Sequence, residues 1–134
     1  MAKTVAGKVI AAIVQTFKDL FPSFIDKTYR KIKPELRQEI SWITQIVSKL
    51  NDILQSPVMD FIVEIIPGDA DDEFVEWARK VLPSFIAKIN HNGKPGISNE
   101  DKAIASALLV KERTGMELSQ ALITSQVVYK KENG

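Results

Sequence analysis

The sequence predicts an all-α fold, a compact bundle of about six short to medium helices, on three observations. Apolar residues recur at intervals of three and four along most of the chain, which is the spacing of a helix face. The breaks between those periods hold Pro and Gly, often with a Ser or Asp placed to cap the helix that follows. With 134 residues, 45% of them hydrophobic, the chain is long enough for one modest core, so residues 1–134 are expected to form a single helical domain.

Charge and cysteine content narrow the function classes. Formal net charge is +1, from 18 basic and 17 acidic side chains. No overall field draws such a chain to a polyanion, and nucleic acid is not an expected partner. The absence of cysteine excludes a disulfide framework and a thiolate metal site, and suits a reducing compartment such as the cytoplasm.

Residues 4–21 form the first expected helix. Val5, Val9, Ile10, Ile13, Val14, Phe17, Leu20 and Phe21 make a wide apolar face with Lys8 and Lys18 at its edge. Such a face packs on the core, docks on a partner or lies on a membrane surface. Its uncharged run, Val9 to Phe17, falls far short of the roughly 20 residues that cross a bilayer. Lys18-Asp19-Leu20-Phe21-Pro22 follows it in place of a small-residue cleavage site, so neither a signal peptide nor a transmembrane span is expected.

Pro22 suits the first position of a second helix over residues 24–32, made basic by Lys27, Arg30, Lys31 and Lys33. The basic face reads as solvated rather than as a phosphate-contacting patch. Pro34 opens the most regular helix, in which Leu36, Ile40, Ile43, Val47, Leu50 and Leu54 recur at heptad spacing. Packing within a bundle is preferred to a free two-stranded coil, because Ile46 and Ile53 widen the stripe. Trp42 lies beside it, as core edge or interface anchor.

Ser56-Pro57 opens a helix over residues 58–66 whose Phe61, Ile62, Ile65 and Ile66 are nearly continuous, and a short helix so apolar is expected at the centre of the domain. Pro67-Gly68 ends it, and Asp69 or Asp71 caps the next. That helix carries Phe74, Val75, Trp77, Ala78, Val81 and Leu82, and Pro83 should kink or interrupt it before residues 84–90 resume. Pro22-Ser23-Phe24-Ile25-Asp26-Lys27 is echoed by Pro83-Ser84-Phe85-Ile86-Ala87-Lys88, a faint sign of a repeated helical unit.

His91-Asn92-Gly93-Lys94-Pro95-Gly96 reads as a loop, dividing possible sub-units 1–90 and 97–134. Ser98 with Asp101 resembles a capping box at the start of a helix through Ala103, Ile104, Ala107, Leu108 and Leu109, which Gly115 ends. A last helix over residues 117–130 turns Leu118, Leu122, Ile123 and Val127 inward, and residues 132–134 should fray. The expected core is Phe61, Ile65, Phe74, Trp77 and the stripe from Leu36 to Leu54.

No residue pattern here carries catalysis. Asp69, Asp71, Asp72 and Glu73 are clustered carboxylates of the kind that hold Mg²⁺ or Ca²⁺, but no EF-hand glycine or twelfth-position glutamate accompanies them, and capping explains them. His91 is the sole histidine and sits in a loop without an adjacent nucleophile motif. Gly93 and Gly96 lead into no Gly-Lys-Ser/Thr string, so no phosphate-binding loop is present. No enzyme activity, metal, cofactor or small-molecule substrate is expected.

Ser56-Pro57-Val58, Ile65-Ile66-Pro67-Gly68-Asp69-Ala70-Asp71-Asp72, Trp77 and Leu82-Pro83 together resemble a family of small helical proteins encoded in phages and prophages of the Bacteroidetes. The resemblance covers the central stretch and implies a phage setting, in the virion or the host cytoplasm. The expected function is a non-catalytic virion component or assembly protein acting through apolar helix faces, as a homo-oligomer or with other phage structural proteins. The candidate interface is Trp42, Val47, Leu50 and Leu54 on the stripe with Val9, Ile13 and Phe17 on the first helix. The alternative is a lysis-associated or membrane-surface protein that uses the first helix.

Overall fold

In the computed structural model the described residues are 21–53, 56–90 and 98–133. Among them are seven helices and no strand: α1 (Pro22–Lys31), α2 (Pro34–Ser48), α3 (Leu50–Ile53), α4 (Val58–Ile65), α5 (Asp72–Asn90), α6 (Asn99–Thr114) and α7 (Leu118–Asn133). The all-α expectation holds. The helix expected over residues 4–21, with Val9, Ile13 and Phe17, lies outside the described residues, as do Leu54 and the 91–96 loop with His91.

Local chemistry places most of the boundaries. Pro22 and Pro34 stand at the first positions of α1 and α2, where a missing N–H costs no helical bond. Ile66 closes α4 with its N–H on the Ile62 carbonyl at 2.9 Å, and Pro67-Gly68 follows. Asp71, rather than Asp69, caps α5, its Oδ1 accepting the Glu73 N–H at 2.8 Å. Ser98 Oγ accepts the Asp101 N–H at 3.1 Å to cap α6. Gly115 ends that helix in the left-handed conformation, φ 78°, with its N–H on the Lys111 carbonyl at 2.8 Å.

One boundary differs from expectation, and at a second, one of the two expected alternatives falls away. The stripe helix is broken at Lys49, whose N–H reaches the carbonyls of Ile46 and Val47, so α2 closes one turn early and α3 follows as a separate turn. Pro83 does not interrupt α5, which runs through it. Proline removes one intrahelical bond and crowds the carbonyl four residues back. Here Leu82 and Ile86, 1% and 7% exposed, are both buried beside it, and that packing holds the helix across the defect. Pro22 therefore opens a helix while Pro83 sits within one, and the two copies of the Pro-Ser-Phe-Ile echo have no common structural role.

Helix α2 is central, packing on α4, α6 and α7, while α6 and α7 form the most extensive pair and α1 lies on α7. Small side chains permit that pairing: α6 buries Ala103, Ala105, Ser106 and Ala107, and α7 buries Ala121, Thr124 and Ser125. One buried cluster joins Ile40, Ile43 and Phe74 to Leu109, Val110 and Val128, so the core is continuous across the 91–96 loop. Within it Trp42 and Phe74 stand 5.3 Å apart in tilted geometry and Phe74 and Trp77 5.6 Å, contacts worth about 0.5 to 1.5 kcal/mol beyond their burial. Phe74 and the Ile40 to Leu50 part of the stripe are interior, as the periodicity implies. Leu36, Phe61, Ile65 and Trp77, expected in the core, are only half-buried and pack against its edge; on α4 this follows because Ile62 turns inward and the cap residue Ile66 takes the other core place. No helix among the described residues is long and apolar enough to cross a membrane.

Candidate functional site

The stripe from Leu36 to Leu54 reads in the sequence both as core and as candidate interface, and its described part from Ile40 to Ile53 lies in the core. Trp42, Val47 and Leu50 are 8%, 3% and 1% exposed, because α4, α6 and α7 close around α2 and take up its apolar length. Those three residues have no side chain to offer a partner.

The apolar surface lies instead on α4, the helix whose composition placed it at the centre. Only Ile62 is buried among its residues, since the helix packs on α2 and α5 and leaves its remaining side outward. Met59 and Val63, one turn apart and therefore on one side, are 39% and 68% exposed. Beside Val63 a groove of about 250 Å³ runs between α4 and α5, formed by Ile62, Val63, Ile66, Pro67 and Val75 with Asp72 and Arg79. A local signal for this orientation exists in the sequence: Asp60 and Glu64 follow Met59 and Val63 at the same four-residue interval, which is how a solvated helix edge reads.

Charge is segregated around this groove. Between Leu50 and Ala78 the chain carries eight acidic residues and no Lys or Arg. All eight are exposed. Lys49 reaches Glu64 at 3.8 Å, an exposed pair of small worth. Arg113 faces the acidic turn but is engaged elsewhere: Glu39 holds its Nε at 2.7 Å, and the guanidinium sits 5.6 Å from the Phe74 ring centre and 5.9 Å from that of Trp77. The Glu39 hydrogen bond, with the charges of Glu39, Glu73 and Asp71, raises its proton affinity against the opposing effect of burial. The four carboxylates of the Asp69 to Glu73 turn do not converge, and no group of three or more His, Cys, Asp or Glu side chains among the described residues is placed to hold a metal ion.

The opposite sign collects where α1 lies on α7. Lys27, Arg30, Lys31, Lys33, Lys130 and Lys131 are all exposed there. Lys131 Nζ donates to Asp26 Oδ1 at 2.9 Å and Arg30 meets Asp26 Oδ2 at 3.1 Å. The Lys131 hydrogen bond above all holds the Asp26 carboxyl below the usual carboxylate range; desolvation opposes it, and the charges of Arg30 and Lys131 add to it. Tyr29 donates its hydroxyl to Glu132 Oε1 at 3.2 Å, Ser41 donates to Glu132 Oε2, and Gln45 Nε2 donates to Ser41 Oγ at 2.9 Å. Arg37 stacks 4.7 Å from the Tyr29 ring centre. Glu132 is thus fixed to α1 and α2 rather than frayed, and Asn133 Nδ2 bonds the Tyr129 carbonyl at 2.9 Å, so α7 stays helical three residues beyond the expected end. Phe21, at the start of α1, is 61% exposed.

A second recess, about 290 Å³, lies among α2, α6 and α7, lined by Thr44, Val47, Lys102, Ala103, Ser106 and Tyr129 among others. Lys102 Nζ crosses it to the Ser48 carbonyl at 3.2 Å. Ser106 Oγ is buried there without a hydrogen-bond partner.

Compared with known proteins, the chain matches no family model, no curated protein and no solved structure.

Proposed function

We propose that this chain is a non-catalytic assembly protein of a phage, working in several copies through an apolar helix face. The observation that carries this reading is the outward side of α4, where Met59 and Val63, two of the four large hydrophobics exposed among the described residues, stand together beside an apolar groove. Contiguous exposed apolar area of this kind marks a contact surface, and a second copy of the same chain is the commonest partner. The phage setting rests on the resemblance carried by Ser56-Pro57-Val58, the Ile65 to Asp72 turn, Trp77 and Leu82-Pro83.

Light scattering across a hundredfold range of concentration tests the assembly. A mass above the monomer at micromolar concentration is expected, reduced by Val63→Asp with no loss of helical signal. A monomeric mass throughout would overturn the reading. For the phage setting, mass spectrometry of purified particles should find the chain in multiple copies if it is a virion component.

A further inference from the structure

Helix α1 packs chiefly on α7, whereas α4 packs on α2 and α5, so the basic and acidic patches lie on different parts of the surface. Among the described residues no ion pair joins them within one chain. The basic patch sets six cations around two carboxylates, Asp26 and Glu132, whereas the acidic face sets eight carboxylates around Lys49, which reaches Glu64, and Arg79, which lines the groove. A formal charge of +1 over the whole chain therefore conceals two strong local fields of opposite sign. Each patch also bears exposed apolar side chains: Phe21 on the basic side, Met59 and Val63 with the groove on the acidic side.

Resting on the assembly reading, we infer that copies of this chain join head to tail, the basic α1–α7 corner of one copy seated on the acidic α4–α5 face of the next. Phe21 enters the groove formed by Ile62, Val63, Ile66 and Val75, while Lys27 and Lys31 face Asp60 and Glu64. Because the two patches lie on different parts of the surface, a single contact leaves each copy with one patch still free. The contact is heterologous, and repeated copying of it gives a ring if the rotation closes and a filament if it does not. Steering by opposite fields makes the association fast at low ionic strength and progressively weaker as salt shortens the Debye length from about 30 Å at 0.01 M to about 10 Å at 0.1 M.

Two charge-reversed variants of the full chain test it, Lys27→Glu with Lys31→Glu, and Asp60→Lys with Glu64→Lys. All four positions are exposed, and circular dichroism establishes that each variant is folded. The milder pairs Lys27→Gln with Lys31→Gln, and Asp60→Asn with Glu64→Gln, replace any reversal that is not. Sedimentation velocity at low salt should find the parent assembled and each reversed variant monomeric. A mixture of the two reversed variants should assemble again, since every contact then joins opposite charges: the unaltered α1 corner of one on the unaltered α4 face of the other, and the two reversed faces on each other. With the milder pairs, assembly of each variant should weaken several-fold. Variants that stay assembled would overturn this contact and leave the assembly reading standing. Monomeric variants whose mixture also stays monomeric would overturn the pairing of these two faces. A parent that is monomeric at every salt and concentration would overturn both.

Discussion

Arg113 donates its Nε–H to Glu39 Oε1 across 2.7 Å, and through that contact the last turn of α6 is joined to the first half of α2. Its guanidinium lies at the same time over Phe74 and Trp77 of α5, so one side chain links three helices. At 20% and 16% exposed, the two partners are mostly out of water, where losing one leaves the other's charge poorly solvated. Glu39→Gln should cost about 1 to 3 kcal/mol. Arg113→Lys should cost a similar amount, because an ammonium lacks the planar fork and stacks less well on the rings. Urea melts of the two single variants and the double variant should give a coupling energy of about 0.5 to 3 kcal/mol, and purely additive effects would show that the two groups act separately.

Val47 and Val63 carry the same side chain into opposite surroundings, 3% and 68% exposed. Val47→Asp buries an unpaired carboxylate in the core and should cost more than about 4 kcal/mol, enough to unfold a small domain. Val63→Asp should change stability by about 0.5 kcal/mol or less. Thermal melts that rank the two the other way round would mean that α4, and not α2, holds the interior stripe.

Asp71 caps α5 and Asp69 does not, although both flank the same turn. Asp71→Ala should lower stability by about 0.5 to 2 kcal/mol, while Asp69→Ala stays within about 0.5 kcal/mol of the parent. Denaturant midpoints that fall equally for both would show that the turn's negative charge, and not a specific hydrogen bond, supports the helix start.

Asp26 links pH to the docking of α1. Its carboxyl is held below the usual range mainly by the Lys131 hydrogen bond, so the ionised form is favoured in the fold. The resulting stability is fully present above the unfolded-state value, about 3.9, and is lost as pH falls through the lower folded-state value. The parent's melting temperature should therefore fall more steeply below about pH 4 than that of Asp26→Asn, which has no such proton to gain. Parallel profiles for the two proteins would remove Asp26 from the acid response.

What was legible in the sequence was local. Pro22, Pro34, Pro67-Gly68, Asp71, Ser98 and Gly115 act on backbone groups within a turn of themselves, and each marks the boundary that its chemistry dictates. The misplaced features depend on distant coverage. Nothing within residues 34–54 states that α6 and α7 will close over Trp42 and Val47, because the residues that do so, Leu109, Val110 and Val128 among small Ala, Ser and Thr side chains, lie more than fifty positions further along the chain. The same cause hid the α4 face. Phe61, Ile62, Ile65 and Ile66 read as a central helix until the α2 surface they would need is shared with two other helices. Glu132 was unreadable for a further reason, since its partners Tyr29 and Ser41 stand 103 and 91 residues away.

Helix α1 contains no fully buried side chain and is held by half-buried residues such as Phe24, Ile25 and Tyr29 together with the exposed Asp26–Lys131 and Tyr29–Glu132 contacts. Such an element can detach while the core stays intact, so its opening free energy falls below that of global unfolding. Its backbone amides should exchange with deuterium well before those of α2, whose side holds Ile40, Ile43 and Ile46 at 0% exposure. Trypsin should likewise cut first after Lys27, Arg30 or Lys31, leaving a helical remnant that begins near Pro34.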